Sequence, residues 1–107
     1  MPSMYVQNIT IPVTTATPNE SGVISAQTTY SFPTNVISAA ASVASYSVSF
    51  GNTDHHLKTV GASVQVQTQV NSPTVTVSGS LQLIDNSNNK LNASSCTLVA
   101  SIVAWAQ

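Results

Sequence analysis

Charge is what this sequence has least of: its 107 residues carry two Lys, no Arg and three acidic side chains, for a net charge of −1. Two cations cannot neutralise a phosphate backbone, so nucleic acid is excluded as a partner. Cysteine is nearly absent too. Cys96 stands alone, which rules out an internal disulfide framework and a cysteine-based zinc site. No apolar run approaches the roughly 18 residues of a membrane span, and no membrane insertion is expected. Met1-Pro2-Ser3 lacks the basic segment and apolar stretch of a secretory leader. The chain is therefore expected to be made in the cytoplasm and to reach any extracellular or particle-bound location by a non-classical route. Disorder is not expected, because 42% hydrophobic residues with almost no net charge is the reverse of the disordered signature. The length suits one domain spanning residues 1–107.

What replaces charge is unusual in kind. The polar residues are 17 Ser, 13 Thr, nine Asn and seven Gln. A typical soluble surface is about a quarter to a third charged; this one must be covered by hydroxyls and amides. Such a surface forms hydrogen bonds everywhere and offers little repulsion between copies. The partners it suits are further copies of the chain, or uncharged and hydroxyl-rich molecules such as glycans.

Apolar residues recur with period two almost throughout, the mark of strands. Val60, Ala62, Val64, Val66, Thr68 and Val70 form one face, set against Thr59, Gly61, Ser63, Gln65, Gln67 and Gln69. Val75, Val77, Gly79, Leu81 and Leu83 form another, set against Thr74, Thr76, Ser78, Ser80 and Gln82. Asn71-Ser72-Pro73 between them reads as a turn, which makes the two strands a hairpin. Further strands are expected over Tyr5 to Thr14, Val23 to Phe32, Val36 to Phe50 and Ser95 to Ala106. Pro12 requires a strand end or an edge. Tyr46, Val48 and Phe50 are expected on one face, and a bulge near Ala44 explains why apolar positions change parity there. Ser38-Ala39-Ala40-Ala41-Ser42 has helical propensity, but bracketing β-branched and aromatic residues and the absence of a cap favour strand. The expected fold is an all-β antiparallel sandwich of about six strands. Its core, mostly Val and Ala, is thin, and homo-oligomerisation is the usual way to add burial. Trp105 is expected in that core, and Cys96 as a buried thiol on the face of Leu98, Ala100 and Ile102.

Asp54-His55-His56 is the most eye-catching cluster, and its first reading is structural: Asp54 accepts a hydrogen bond from the loop backbone or a His and holds the turn. Neighbours on a strand point to opposite faces, so the two His do not chelate together if extended, and no metal site is expected within one chain. A symmetry axis that brings one His from each copy together is the exception. Catalysis has little to work with: three carboxylates, two adjacent His and no Gly-x-Ser-x-Gly elbow. We expect neither an enzyme nor a cofactor. The residues suited to a ligand are polar loop residues, Asn52, Asp54, His55 and His56 in one loop and Asp85 and Asn86 in another, joined by Asn88 and Asn89.

The order of these pieces resembles the H-type lectin domain of snail agglutinins and of the C-terminal part of discoidins. The similar features are Phe32-Pro33-Thr34-Asn35-Val36, a long strand, the polar loop Gly51 to His56, the Val64, Val66 strand, Val75-Thr76-Val77 and Ile102-Val103-Ala104-Trp105-Ala106. They span residues 28–107. The resemblance implies a six-stranded antiparallel sandwich that forms trimers or hexamers and binds sugars such as N-acetylgalactosamine between subunits. Two features depart from it. Leu83-Ile84-Asp85-Asn86-Ser87 lacks the Trp that precedes Asp-Thr or Asp-Ser in the family, and the chain lacks an Arg near the sugar site. Two functions follow as expectations: an oligomeric carbohydrate-binding module, or a self-assembling structural subunit of a filament, shell or phage-type particle.

Overall fold

The computed structural model describes residues 2–50, 57–87 and 89–107, with the backbone alone of Leu57 and Lys58. Six strands form two three-stranded antiparallel sheets: β1 (Ser3–Thr10), β2 (Val23–Ser31), β3 (Val36–Ser47), β4 (Leu57–Gln67), β5 (Thr74–Asp85) and β6 (Thr97–Ala106). One sheet has the order β1-β6-β3, the other β2-β5-β4. The expected hairpin is present as β4 and β5, turned at Asn71, which takes φ 56° as Asn tolerates better than most residues.

Alternation places the core. On β5, Val75, Val77, Gly79, Leu81 and Leu83 face inward and are buried. On β6 the inward set is Leu98, Ala100, Ile102, Ala104 and Ala106. Small residues on facing strands bring the sheets close together. A Cβ on Gly79 would stand 2.6 Å from both Ile11 Cδ1 and Leu98 Cδ2, so these two side chains occupy the space that glycine leaves. At one end Phe32 joins the sheets, with its ring 4.9 Å from Tyr30 of β2 and 5.9 Å from Tyr5 of β1. The Phe32-to-Val36 crossover is fastened to the β4–β5 turn: Phe32 N donates to Pro73 O (2.8 Å) and Val36 N to Ser72 O (3.0 Å).

Several expectations are corrected or refined. Trp105 is not in the core: it is 41% exposed, because it alternates with the buried Ala104 and Ala106 and so lies on the outer face of β6. Val60 and Val70 are exposed as well, Val70 at 91%, since β4 ends at Gln67 and Val70 belongs to the turn. Tyr46 is exposed while Val48 and Phe50, beyond the end of β3, pack against the core. Pro12 lies past the end of β1. The bulge falls at Ala44, between Val43 and Ser45, and a second one at Ile37 was not foreseen. Cys96 is buried, immediately before β6, with its Sγ 3.2 Å from Asn92 O at the end of a short 3-10 turn (Ala93–Ser95).

The molecule is long. Its extents are 54 × 18 × 18 Å and its radius of gyration is 15.8 Å, against about 13 Å for a compact domain of this length. Its accessible surface of 6133 Å² exceeds the roughly 5,650 Å² of a compact monomer of this mass. Long strands, up to twelve residues, produce this shape; the core itself is not mostly Val and Ala as expected, since ten of its nineteen buried apolar residues are Ile, Leu or Phe. The core is a narrow seam rather than a ball.

Candidate functional site

Of the loop residues expected to meet a ligand, Asn52, Asp54, His55 and His56 lie outside the described residues, as does Asn88. Asp85 and Asn86 are described, and they differ. Asp85, the last residue of β5, is 2% exposed. Its Oδ1 accepts from the backbone N–H of Ser87 (2.9 Å) and of Asn89 (2.7 Å), and its Oδ2 from Asn89 Nδ2 (2.9 Å). Its own N–H donates to Asn89 O (3.0 Å). The carboxylate is thus wrapped by its loop, as Asp does in turns. Asn86, one residue on, is exposed. Replacement of Asp85 by Ala removes the acceptor for three donors and is expected to lower stability by about 2–3 kcal/mol. Urea denaturation at fixed protein concentration measures it; a loss under about 0.5 kcal/mol shows that the loop holds without the carboxylate.

Register explains why this loop matters to the fold's end. Leu57, the first residue of β4, pairs with Asp85. On the other side, Ser49 O accepts the N–H of Asn92 (2.8 Å). The ends of β3, β4 and β5 are tied together there. Among the described residues no group of three or more His, Cys, Asp or Glu gathers as a metal site would require.

The outer face of β2-β5-β4 carries the polar groove among the described residues. Strand register aligns Ser25, Ser80 and Ser63 in one row across the sheet, and Gln27, Ser78 and Gln65 in the next. The serine row is short-chained, the glutamines beside it are long, and the result is an open groove of about 570 Å³. Within it Ser63 Oγ and Ser80 Oγ are 2.8 Å apart. The pattern continues outward to Thr29 and Thr76, then to Ser31 and Thr74, whose hydroxyl oxygens are 2.7 Å apart. Every one of these side chains is a neutral hydrogen-bonding group. The β4 and β5 halves of this face are the polar sets read from alternation. Ser25 and Gln27 of β2 were not connected to them, because pairing between strands far apart in sequence leaves no local signal.

The outer face of β1-β6-β3 has a different character. Met4, Val6, Val103 and Trp105 are exposed there, and the whole sheet contains no charged side chain. Compared with known protein families, with curated proteins and with solved structures, the chain matches none.

Proposed function

We propose that this chain is a non-enzymatic carbohydrate-binding module that works as an oligomer, with the outer face of β2-β5-β4 as its sugar-facing surface. The observation that carries the reading is the groove built from rows of Ser flanked by Gln27 and Gln65. Sugar hydroxyls both donate and accept, and so do hydroxyl and amide side chains. A face without charge favours neutral glycans over phosphates or acidic polymers. The groove is open, which suits a segment of an extended glycan better than an enclosed monosaccharide. Each site alone is weak, and several copies on one particle convert it into avidity. The resemblance to H-type lectins supports the same class and the same oligomeric habit, although its departures at Leu83 to Ser87 fall on the family's sugar site.

A broad neutral glycan array probed with the full chain tests the reading, together with the Gln27→Ala/Gln65→Ala double variant. Loss of two amides that each contribute about 1 kcal/mol predicts roughly a 10- to 30-fold fall in single-site affinity. Silence across the array removes the carbohydrate reading. Binding that survives the double variant but falls in Asp54→Ala, His55→Ala, His56→Ala or Asn86→Ala keeps the class and moves the site to the loops.

The second reading, a self-assembling structural subunit, is favoured by one observation, the exposed apolar side chains on a sheet without charge. Filaments or closed particles seen by electron microscopy without ligand, from a chain silent on the array, decide for it.

A further inference from the structure

On the outer face of β1-β6-β3, register sets Met4, Trp105 and Ser38 in one row and Val6, Val103 and Ala40 in the next. The rows are uneven. Large side chains stand on β1 and β6, small ones on β3, and a hollow of about 490 Å³ opens over Ser38–Ala40, walled by Met4, Val103 and Trp105. Met4 is 64% and Val6 65% exposed, although both residue types are mostly buried in folded proteins.

We propose that this face is where a second copy of the chain docks, sheet against sheet, with the Met4–Trp105 ridge of each copy seated in the Ser38–Ala40 hollow of the other. Three observations select a copy of this chain as the occupant. A ridge beside a hollow on one surface is the self-complementary shape that a two-fold contact requires. The strands β1, β3 and β6 contain no Lys, Arg, Asp or Glu, so turning the face upon itself sets no like charges together, and it offers a charged partner nothing to pair with. The size also fits. Three strands about 4.8 Å apart, paired over eight to ten residues, make a face near 14 by 30 Å. With side-chain relief that approaches the roughly 600 Å² per partner at the lower end of specific interfaces. The chain's excess surface and narrow core are what such burial offsets. The proposal takes its second copy from the oligomeric part of the functional reading and leaves the opposite, sugar-facing sheet open.

Trp105 is the single Trp of the chain, and its fluorescence reports this face alone. Sedimentation velocity and acrylamide quenching are measured together on the full chain from sub-micromolar to hundred-micromolar concentration. The expected result is association accompanied by a blue shift and by at least a twofold fall in Trp105 quenching. Val6→Lys, on an edge strand and already mostly exposed, is expected to weaken association at least tenfold while circular dichroism stays unchanged. Met4→Lys is the second variant should Val6→Lys disturb the fold. Gln65→Lys, on the opposite sheet, is expected to associate as the parent does. A chain that stays monomeric overturns the proposal. So does association in which Trp105 remains as quenchable as in dilute solution, or association that Val6→Lys and Met4→Lys leave intact. None of these results depends on whether a sugar binds.

Discussion

Replacing Leu98 with Ala is expected to lower the stability of this protein by about 3–5 kcal/mol, the upper part of the range for Leu→Ala in a core. Leu98 is fully buried on β6, the central strand of its sheet, and one of its methyls reaches the space above Gly79 of the facing sheet. Its backbone cannot settle into the void, because Leu98 O accepts the N–H of Ile11 (2.9 Å) and the strand is paired on both sides. Domains of this size are stable by about 5–15 kcal/mol, so the variant is left close to its unfolding threshold. Urea denaturation at fixed concentration checks the value, since association also contributes to apparent stability. The facing glycine gives a sharper version. Gly79→Ala alone is expected to cost about 1–2 kcal/mol, since its Cβ meets the tips of Ile11 and Leu98 at 2.6 Å and the backbone oxygen of Ser63 at 3.2 Å. In the Leu98→Ala background one of those tips is gone, and the same substitution is expected to cost at least about 0.5 kcal/mol less. Equal costs in the two backgrounds contradict this account of how the sheets meet.

How much of this was legible depends on which physical signal each residue carries. The β5 face from Val75 to Leu83 alternates without a break, and the structure buries that whole set. The hairpin at Asn71-Ser72-Pro73 and the bulge at Ala44 were equally visible, one through turn chemistry and one through a change of parity. Trp105 was expected in the core because its neighbours Ala104 and Ala106 leave room for a ring, yet parity sends it to the other face. Leu98, Ala100 and Ile102 had already fixed the even positions of β6 as inward, which sends residue 105 outward. Val60 has the inward parity of Ala62 and Val64 and is exposed regardless, because alternation marks a face and says nothing about how far the opposite sheet extends. The bulge at Ile37 left no trace among small residues whose burial differs little. As for the site, the polar faces of β4 and β5 were readable and their union with β2 was not, since register between β2 and β5 is a tertiary property. Asp85 was read as a group for a ligand. The run Asp85-Asn86-Ser87-Asn88-Asn89 carried the contrary sign, an Asp followed by turn formers whose N–H groups it can collect.

Gly22→Ala is expected to cost about 3 kcal/mol, more than Gly79→Ala, and for a reason that no second substitution can relieve. Gly22 closes the turn into β2 with φ +73°. Asn19 builds that turn: its Oδ1 accepts the N–H groups of Ser21 (2.9 Å) and Val23 (3.1 Å), and its carbonyl accepts that of Gly22 (3.0 Å). Gly22 O in turn accepts the N–H of Leu83 (3.0 Å), which fastens the start of β2 to β5. A left-handed backbone costs a residue with a Cβ about 1–2 kcal/mol. Here the added methyl also stands 2.5 Å from Leu83 O and 3.0 Å from Ile84 Cβ. Because the obstacle is a backbone carbonyl, the turn or the β2–β5 pairing must shift, adding about 1–3 kcal/mol. Two comparisons separate these contributions. Leu83→Ala trims a side chain and leaves the carbonyl in place, so it is expected to give Gly22→Ala no relief beyond additivity. Asn tolerates left-handed backbone better than Ala, yet it carries the same Cβ; if the clash dominates, Gly22→Asn is destabilised within about 1 kcal/mol of Gly22→Ala. Recovery of near-parental stability in Gly22→Asn shows that the dihedral angle alone demands glycine at this turn.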